Sequence, residues 1–70
     1  MEMISVDSSN LDSVGYDDDS GILVIEFKKG AAYEYYDVPR YVFDELLGAE
    51  SKGKYANHNI YKIYNQQRIR

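Results

Sequence analysis

The stretch Ile22-Leu23-Val24-Ile25-Glu26-Phe27-Lys28-Lys29-Gly30-Ala31-Ala32-Tyr33-Glu34-Tyr35-Tyr36-Asp37-Val38-Pro39 decides the fold. Residues 22–27 are rich in branched side chains and apolar on both faces for most of their length, as a central β-strand requires. Alternation sets Leu23, Ile25 and Phe27 on one face and Ile22, Val24 and Glu26 on the other. The first set is expected to face a helix. Lys28-Lys29-Gly30 reads as a tight turn into a second strand, on which Tyr33 and Tyr35 share one face and Glu34 and Tyr36 the other. Pro39, with its fixed φ and missing N–H, suits the start of a helix, and Asp37 just before it has a side chain able to accept from free helix amides.

Working outward from that stretch, Val38, Val42, Phe43, Leu46 and Leu47 recur at helical spacing, with Arg40, Asp44 and Glu45 outward. A helix of about three turns from Pro39 to near Glu50 is predicted. Upstream, residues 3–6 and 11–16 are weaker strand candidates separated by the turn-forming Asp7-Ser8-Ser9-Asn10. Asp17-Asp18-Asp19-Ser20-Gly21 closes a hairpin, with Gly21 able to take a positive φ. Downstream, Ser51-Lys52-Gly53-Lys54 looks like loop. Ile60-Tyr61-Lys62-Ile63-Tyr64 fits a helical turn and a strand equally well, and residues 65–70 are expected to fray unless Ile69 pins them. The predicted fold is a single α+β domain over 1–70: an antiparallel meander of three to four strands, one helix packed on one face, and an irregular C-terminal segment returning along an edge.

Seventy residues bury only about 60% of the surface exposed by the unfolded chain, a core worth roughly 3–5 kcal/mol. The chain has no cysteine, so it has neither disulfides nor thiolate zinc ligands. Stability must come from packing or from homo-oligomerisation. No apolar run is long enough to span a membrane, and Met1-Glu2-Met3-Ile4-Ser5 lacks the features of a secretion signal, so a cytoplasmic location and no membrane partner are expected. The net charge of −4 is unevenly spread. Residues 1–50 hold all twelve acids and three bases, a net of −9, whereas residues 51–70 hold five bases and no acid, a net of +5. The split implies a basic binding edge, or a basic tail docked on the protein's own acidic surface.

Ser8-Ser9, Gly15-Tyr16-Asp17, Gly30, Tyr33-Glu34-Tyr35, Val38-Pro39, Ala49, Ser51-Lys52-Gly53 and Ile60 stand in the order and spacing of the KTSC domain, which the chain resembles over about residues 8 to 69. The signature is Tyr-x-Tyr followed by Val-Pro, here Tyr33, Tyr35, Val38 and Pro39. The family takes its name from the C-terminal extension of some lysyl-tRNA synthetases and occurs as short free-standing bacterial and phage proteins. The resemblance implies RNA binding by association with synthetases, and it carries over no catalytic residues. Members often show a further aromatic where this chain has Ala56, which bears on any stacking role beside Tyr55.

Catalysis finds little to work with. His58 is the only imidazole, no thiol exists and no nucleophile-elbow context surrounds any serine. The chain is therefore expected not to be an enzyme and to hold no cofactor or metal. The Asp17–Gly21 run fails the EF-hand pattern and reads as a solvated turn. Tyr33 and Tyr35 are expected in the core, because tyrosine must fill volume in a chain with two Phe and no Trp. The binding candidates are Lys52, Lys54, Lys62 and Arg68 for phosphates and Tyr36, Tyr55 and Tyr61 for stacking. They predict a non-catalytic module binding RNA or a nucleotide through a basic, Tyr-rich C-terminal segment. The alternative is a small bacterial or phage interaction or inhibitor domain that docks on a host protein through its acidic surface or a Tyr-rich face.

Overall fold

The structure, a computed structural model, describes residues 1–70. Strands β1 (Met3–Ser5), β2 (Leu11–Asp17), β3 (Ile22–Phe27), β4 (Ala32–Tyr35) and β5 (Gln66–Arg68) form one antiparallel sheet in that order. Two helices, α1 (Arg40–Gly48) and α2 (Lys52–Asn59), intervene between β4 and β5. The fold is a two-layer α+β sandwich with β3 at the centre of the sheet.

Alternation along the strands places the core. Val14, Leu23, Ile25 and Tyr35 are buried on the helix-covered face and pack with Val38, Val42, Phe43, Leu46, Ala56 and Ile60. A register shift between Leu11 and Ser13 lets Leu11 pair with Phe27 and join the same face. The opposite face carries Ser13, Gly15, Ile22, Val24, Glu26, Ala32 and Glu34. Gly15 is one of them, and a Cβ there would lie 2.6 Å from Met3 Sδ and 2.9 Å from the Glu2 carbonyl, so only glycine lets the N-terminus lie this close.

The entry to α1 differs from the expected cap. Pro39 is the N-cap residue and no side chain accepts from the first turn. Asp37 instead adopts φ 57°, a left-handed conformation that Asp tolerates better than most residues. That kink turns Val38 inward, where its amide donates to the Gly21 carbonyl at 2.9 Å and its carbonyl accepts from the Tyr16 hydroxyl at 2.5 Å. Tyr16 also stacks on Phe43, with centroids 5.4 Å apart. The Val-Pro signature thus clamps the β2–β3 hairpin to the start of α1.

The C-terminal third departs most from expectation. Ser51-Lys52-Gly53-Lys54, expected as loop, is the cap and first turn of α2, with the Ser51 side chain accepting from the Lys54 amide. Ala56 and Ile60, both fully buried, hold α2 to the core. Residues 66–70 do not fray. Backbone pairing joins β5 to β4, the Ile69 amide donates to the Ala32 carbonyl, and Arg70 forms an ion pair with Glu26. Ile69 is itself exposed, so the backbone and Arg70 anchor the end in its place.

Candidate functional site

The predicted cations and rings of the C-terminal segment do not converge. Lys52 Nζ donates to the Ala49 carbonyl at 3.0 Å, bridging the end of α1 to the start of α2. Lys54 lies exposed on α2 and Lys62 in the turn beyond it. Tyr55 packs against the core, and its hydroxyl donates to Glu45 at 2.6 Å. Burial, and then that carboxylate, push its pKa well above the ordinary tyrosine value. Tyr36 lies on the other side of the sheet, its hydroxyl donating to Glu34 at 2.9 Å with the Gln67 side chain 3.2 Å away, and the Glu34 bond raises its pKa.

Tyr61 is corrected outright as a free stacking ring. It lies against Tyr35, with centroids 6.1 Å apart, and against Phe27 at 6.0 Å. Its hydroxyl is buried without a partner, and burial raises its pKa. An unpaired buried hydroxyl costs about 1–3 kcal/mol. Tyr61→Phe is therefore expected to raise the urea midpoint of unfolding, by roughly 1 kcal/mol of stability. Ala56 is likewise core and offers no surface for stacking.

The charges of the strand-connecting turns are sorted by the direction of the strands rather than by position in the chain. The Asp17–Asp19 turn precedes β3 and Lys28-Lys29 follows it, so they lie at opposite ends of the sheet. Asp37, after β4, joins the acidic end. There Arg40 pairs with Asp18 at 2.6 Å and with Asp44 at 3.1 Å. Antiparallel pairing sends Arg68 and Arg70 to the lysine end, where Arg70 Nε also donates to the Gly30 carbonyl at 3.2 Å. The Ser8–Asn10 turn arrives at the same end, since the Lys28 amide donates to the Asn10 carbonyl at 2.9 Å. The first turn of α2 follows it, because a Cβ on Gly53 would come within 2.7 Å of Asn10 Oδ1. Two separated signature segments, Ser8-Ser9 and Ser51-Lys52-Gly53, thus meet at the basic end.

A cavity of about 340 Å³ opens here, lined by Phe27, Tyr33, Lys28, Lys29, Ser9 and Asn10, with Ala31 at its margin. Phe27 and Tyr33 meet edge to face, with centroids 6.0 Å apart. Tyr33 stacks on Tyr35 at 6.4 Å, so the two signature tyrosines form one aromatic wall running from the core to the cavity. The register sets Arg68 directly across from Tyr33 on the same face. Lys28, Lys29 and Arg68 form no ion pair, unlike Arg40 and Arg70. Of the predicted binding residues, Arg68 alone stands beside this cavity, while Tyr33 of the signature, expected in the core, is only partly buried and lines it. Lys28, Lys29, Phe27 and Asn10 were not singled out as binding residues by the sequence, where Lys-Lys-Gly carries only the signal of a turn.

The sandwich and its signature clamp define the class first, a small α+β domain built around a Tyr-x-Tyr strand and a Val-Pro helix entry. The KTSC domain model matches residues 7–64, and the chain belongs to the KTSC domain family. It is 49% identical over 55 residues to a protein of Tsukamurella paurometabola, spanning 79% of this chain and 82% of that one. A protein of Stutzerimonas stutzeri is 44% identical over 57 residues, 81% of this chain and 80% of that one. A lysine–tRNA ligase of Nostoc punctiforme is 34% identical over 58 residues, 83% of this chain but 10% of the ligase. The crystal structure of a KTSC domain protein from Yersinia pestis superposes with a TM-score of 0.92 at 31% identity, covering 99% of this chain and 97% of that one. No helix is long and apolar enough to cross a membrane.

Proposed function

We propose that the domain is a non-catalytic, cytoplasmic binding module for RNA or a nucleotide, and that its ligand sits at the lysine end of the sheet rather than along the C-terminal segment. The observation that carries this reading is the convergence of two aromatic side chains and two unpaired lysines on one cavity of about 340 Å³, within the size range of small-molecule sites. A base offers a flat apolar ring that packs on Tyr33 or Phe27, and its phosphates meet Lys28, Lys29 and Arg68. The similarity to part of a lysine–tRNA ligase, a protein named for a tRNA substrate, supports the same reading.

The test is a titration with short single-stranded RNA, followed by anisotropy between roughly 0.1 and 0.3 M salt. Saturable binding is expected to weaken as salt rises. Lys28→Ala with Lys29→Ala is expected to weaken it by about tenfold to a hundredfold and to flatten the logarithmic salt slope by roughly 1.4, the share of two phosphates on a single strand. Absent binding, or binding that depends on Lys54 and Lys62 and ignores Lys28 and Lys29, would refute it.

A second reading, a protein-interaction or inhibitor module, is favoured by the outer surface of the helical layer. Tyr41 is 62% exposed and Ile63 61%. Aromatic side chains so displayed are the usual anchors of protein interfaces.

A further inference from the structure

Besides its aromatic rings and lysines, the basic cavity is lined by Asn10, an amide whose two ends are not equally free. Ser8 Oγ accepts from the backbone amides of Asn10 at 3.4 Å and Leu11 at 3.2 Å. A hydroxyl has two lone pairs and one proton. With both lone pairs taken, the proton is what remains, and it is donated to Asn10 Oδ1, 3.3 Å away. Reversing the amide would set its N–H groups against a hydroxyl with no lone pair to offer, so the network dictates the orientation. The first turn of α2 closes on the same oxygen, since a Cβ on Gly53 would lie 2.7 Å from Oδ1 and 3.7 Å from Nδ2. Oδ1 is thus held between Ser8 and α2, and Nδ2 is the free end of the amide, with two N–H donors to offer.

This orientation limits which base edge Asn10 matches. An asparagine reads adenine with both ends at once, accepting from the 6-amino group and donating to N7. With Oδ1 engaged, that pairing is closed. The remaining donor suits a carbonyl oxygen, O4 of uracil or O6 of guanine. Cytosine and adenine carry an amino group at the corresponding position, where donor would meet donor. No carboxylate lines the cavity to accept from such an amino group.

We infer that the cavity selects bases by their exocyclic group, uracil and guanine over cytosine and adenine, with Asn10 Nδ2 reading the carbonyl oxygen and Ser8 acting as the residue that positions Asn10. The inference rests on the nucleic-acid reading of the cavity and adds the class of base that it takes. It also gives the meeting of two signature segments a purpose, because Ser8 and Gly53 together fix the amide between them.

The experiment measures anisotropy with pairs of oligonucleotides of equal length and ring size that differ at this edge: oligouridylate against oligocytidylate, and oligoinosinate against oligoadenylate. The wild-type chain is expected to bind the carbonyl member of each pair about fivefold to tenfold more tightly, the worth of one neutral hydrogen bond. Asn10→Ala removes the donor and keeps the backbone bond from the Lys28 amide to the carbonyl of residue 10. It is expected to level each pair by weakening the carbonyl member. Ser8→Ala keeps the amide but frees it to turn, and is expected to level the pairs in the opposite way, by strengthening the amino members. A merely structural role for Ser8 would weaken all four ligands together. Circular dichroism establishes that each variant is folded, and should Ser8→Ala fail to fold, the wild-type and Asn10→Ala titrations decide. Equal wild-type affinity within either pair, tighter binding of the amino member, or a carbonyl preference that survives either substitution overturns the selectivity and leaves the nucleic-acid reading intact. Failure of all four oligonucleotides to bind overturns that reading and the selectivity with it.

Discussion

Tyr35→Ala is expected to leave the chain unfolded at 25 °C, with loss of both far-ultraviolet ellipticity and the cooperative urea transition. Tyr35 is 2% exposed at the middle of the aromatic wall, stacked between Tyr33 and Tyr61 and set across from Leu23 in the sheet. Truncating a buried aromatic to alanine costs about 3–5 kcal/mol. A domain of this size has a total stability of roughly 4–10 kcal/mol at the usual value per residue, and small cores fall at the low end. The loss is therefore comparable with the whole. Tyr35→Phe keeps the ring and is expected to remain folded, which separates loss of packing from loss of the hydroxyl. A Tyr35→Ala chain with a cooperative transition near the wild-type midpoint would show that the wall is not the centre of the core.

The same ring makes the fold sensitive to alkali. Burial raises the pKa of Tyr35 far above the ordinary value of 10.0, and Tyr16, Tyr55, Tyr61 and Tyr64 are shifted upward with burial as the leading cause. In the unfolded chain these phenols ionise near pH 10. A group whose folded pKa exceeds its unfolded value contributes stability fully present below the unfolded pKa and lost as pH rises through the interval between the two. Tyr35 alone removes about 1.4 kcal/mol for each pH unit above 10, and the others act in the same direction. Cooperative unfolding is expected between about pH 10 and 12, with the tyrosinate absorbance of the buried rings appearing together with loss of ellipticity. Gradual tyrosinate formation at constant ellipticity would mean that the rings ionise inside a folded domain. Tyr61→Phe removes one contributor and is expected to shift the alkaline transition upward.

What the sequence disclosed follows from how each element is held. Residues 22–27 form an apolar run buried on both faces, and residues 32–36 and 38–47 bury one face at the period of their own secondary structure, so these patterns find them and predict Leu23, Ile25 and Tyr35 in the core. Helix α2 buries Ala56 and is completed by Ile60 just beyond its end. One methyl group and a capping serine leave no periodic trace in Lys52-Gly53-Lys54-Tyr55. Strand β5 is exposed at all three residues and is fixed through its backbone, so its side chains say nothing of it. The basic site was hidden for a related reason. Lys28 and Lys29 look the same on any hairpin, and it is the Leu11–Phe27 pairing with the bond from the Lys28 amide to Asn10 that brings Ser9 and Asn10 beside them. Dividing the charge after Glu50 identified Arg68 but not its neighbours, which come from the acidic half of the chain.

The alignment of acid and base along the strands makes the molecule an electric dipole, and this changes what its net charge of −4 means to a polyanion. At physiological ionic strength the Debye length is about 8 Å, well short of the smallest molecular dimension of 23 Å. A phosphate chain arriving at the lysine end is screened from Asp17, Asp18 and Asp19 by the full length of the sheet. Asp7 and Glu50 stand near that end and Glu26 is paired there with Arg70, so these are the acids a phosphate chain still meets, while the Asp17–Asp19 pole adds little to the encounter.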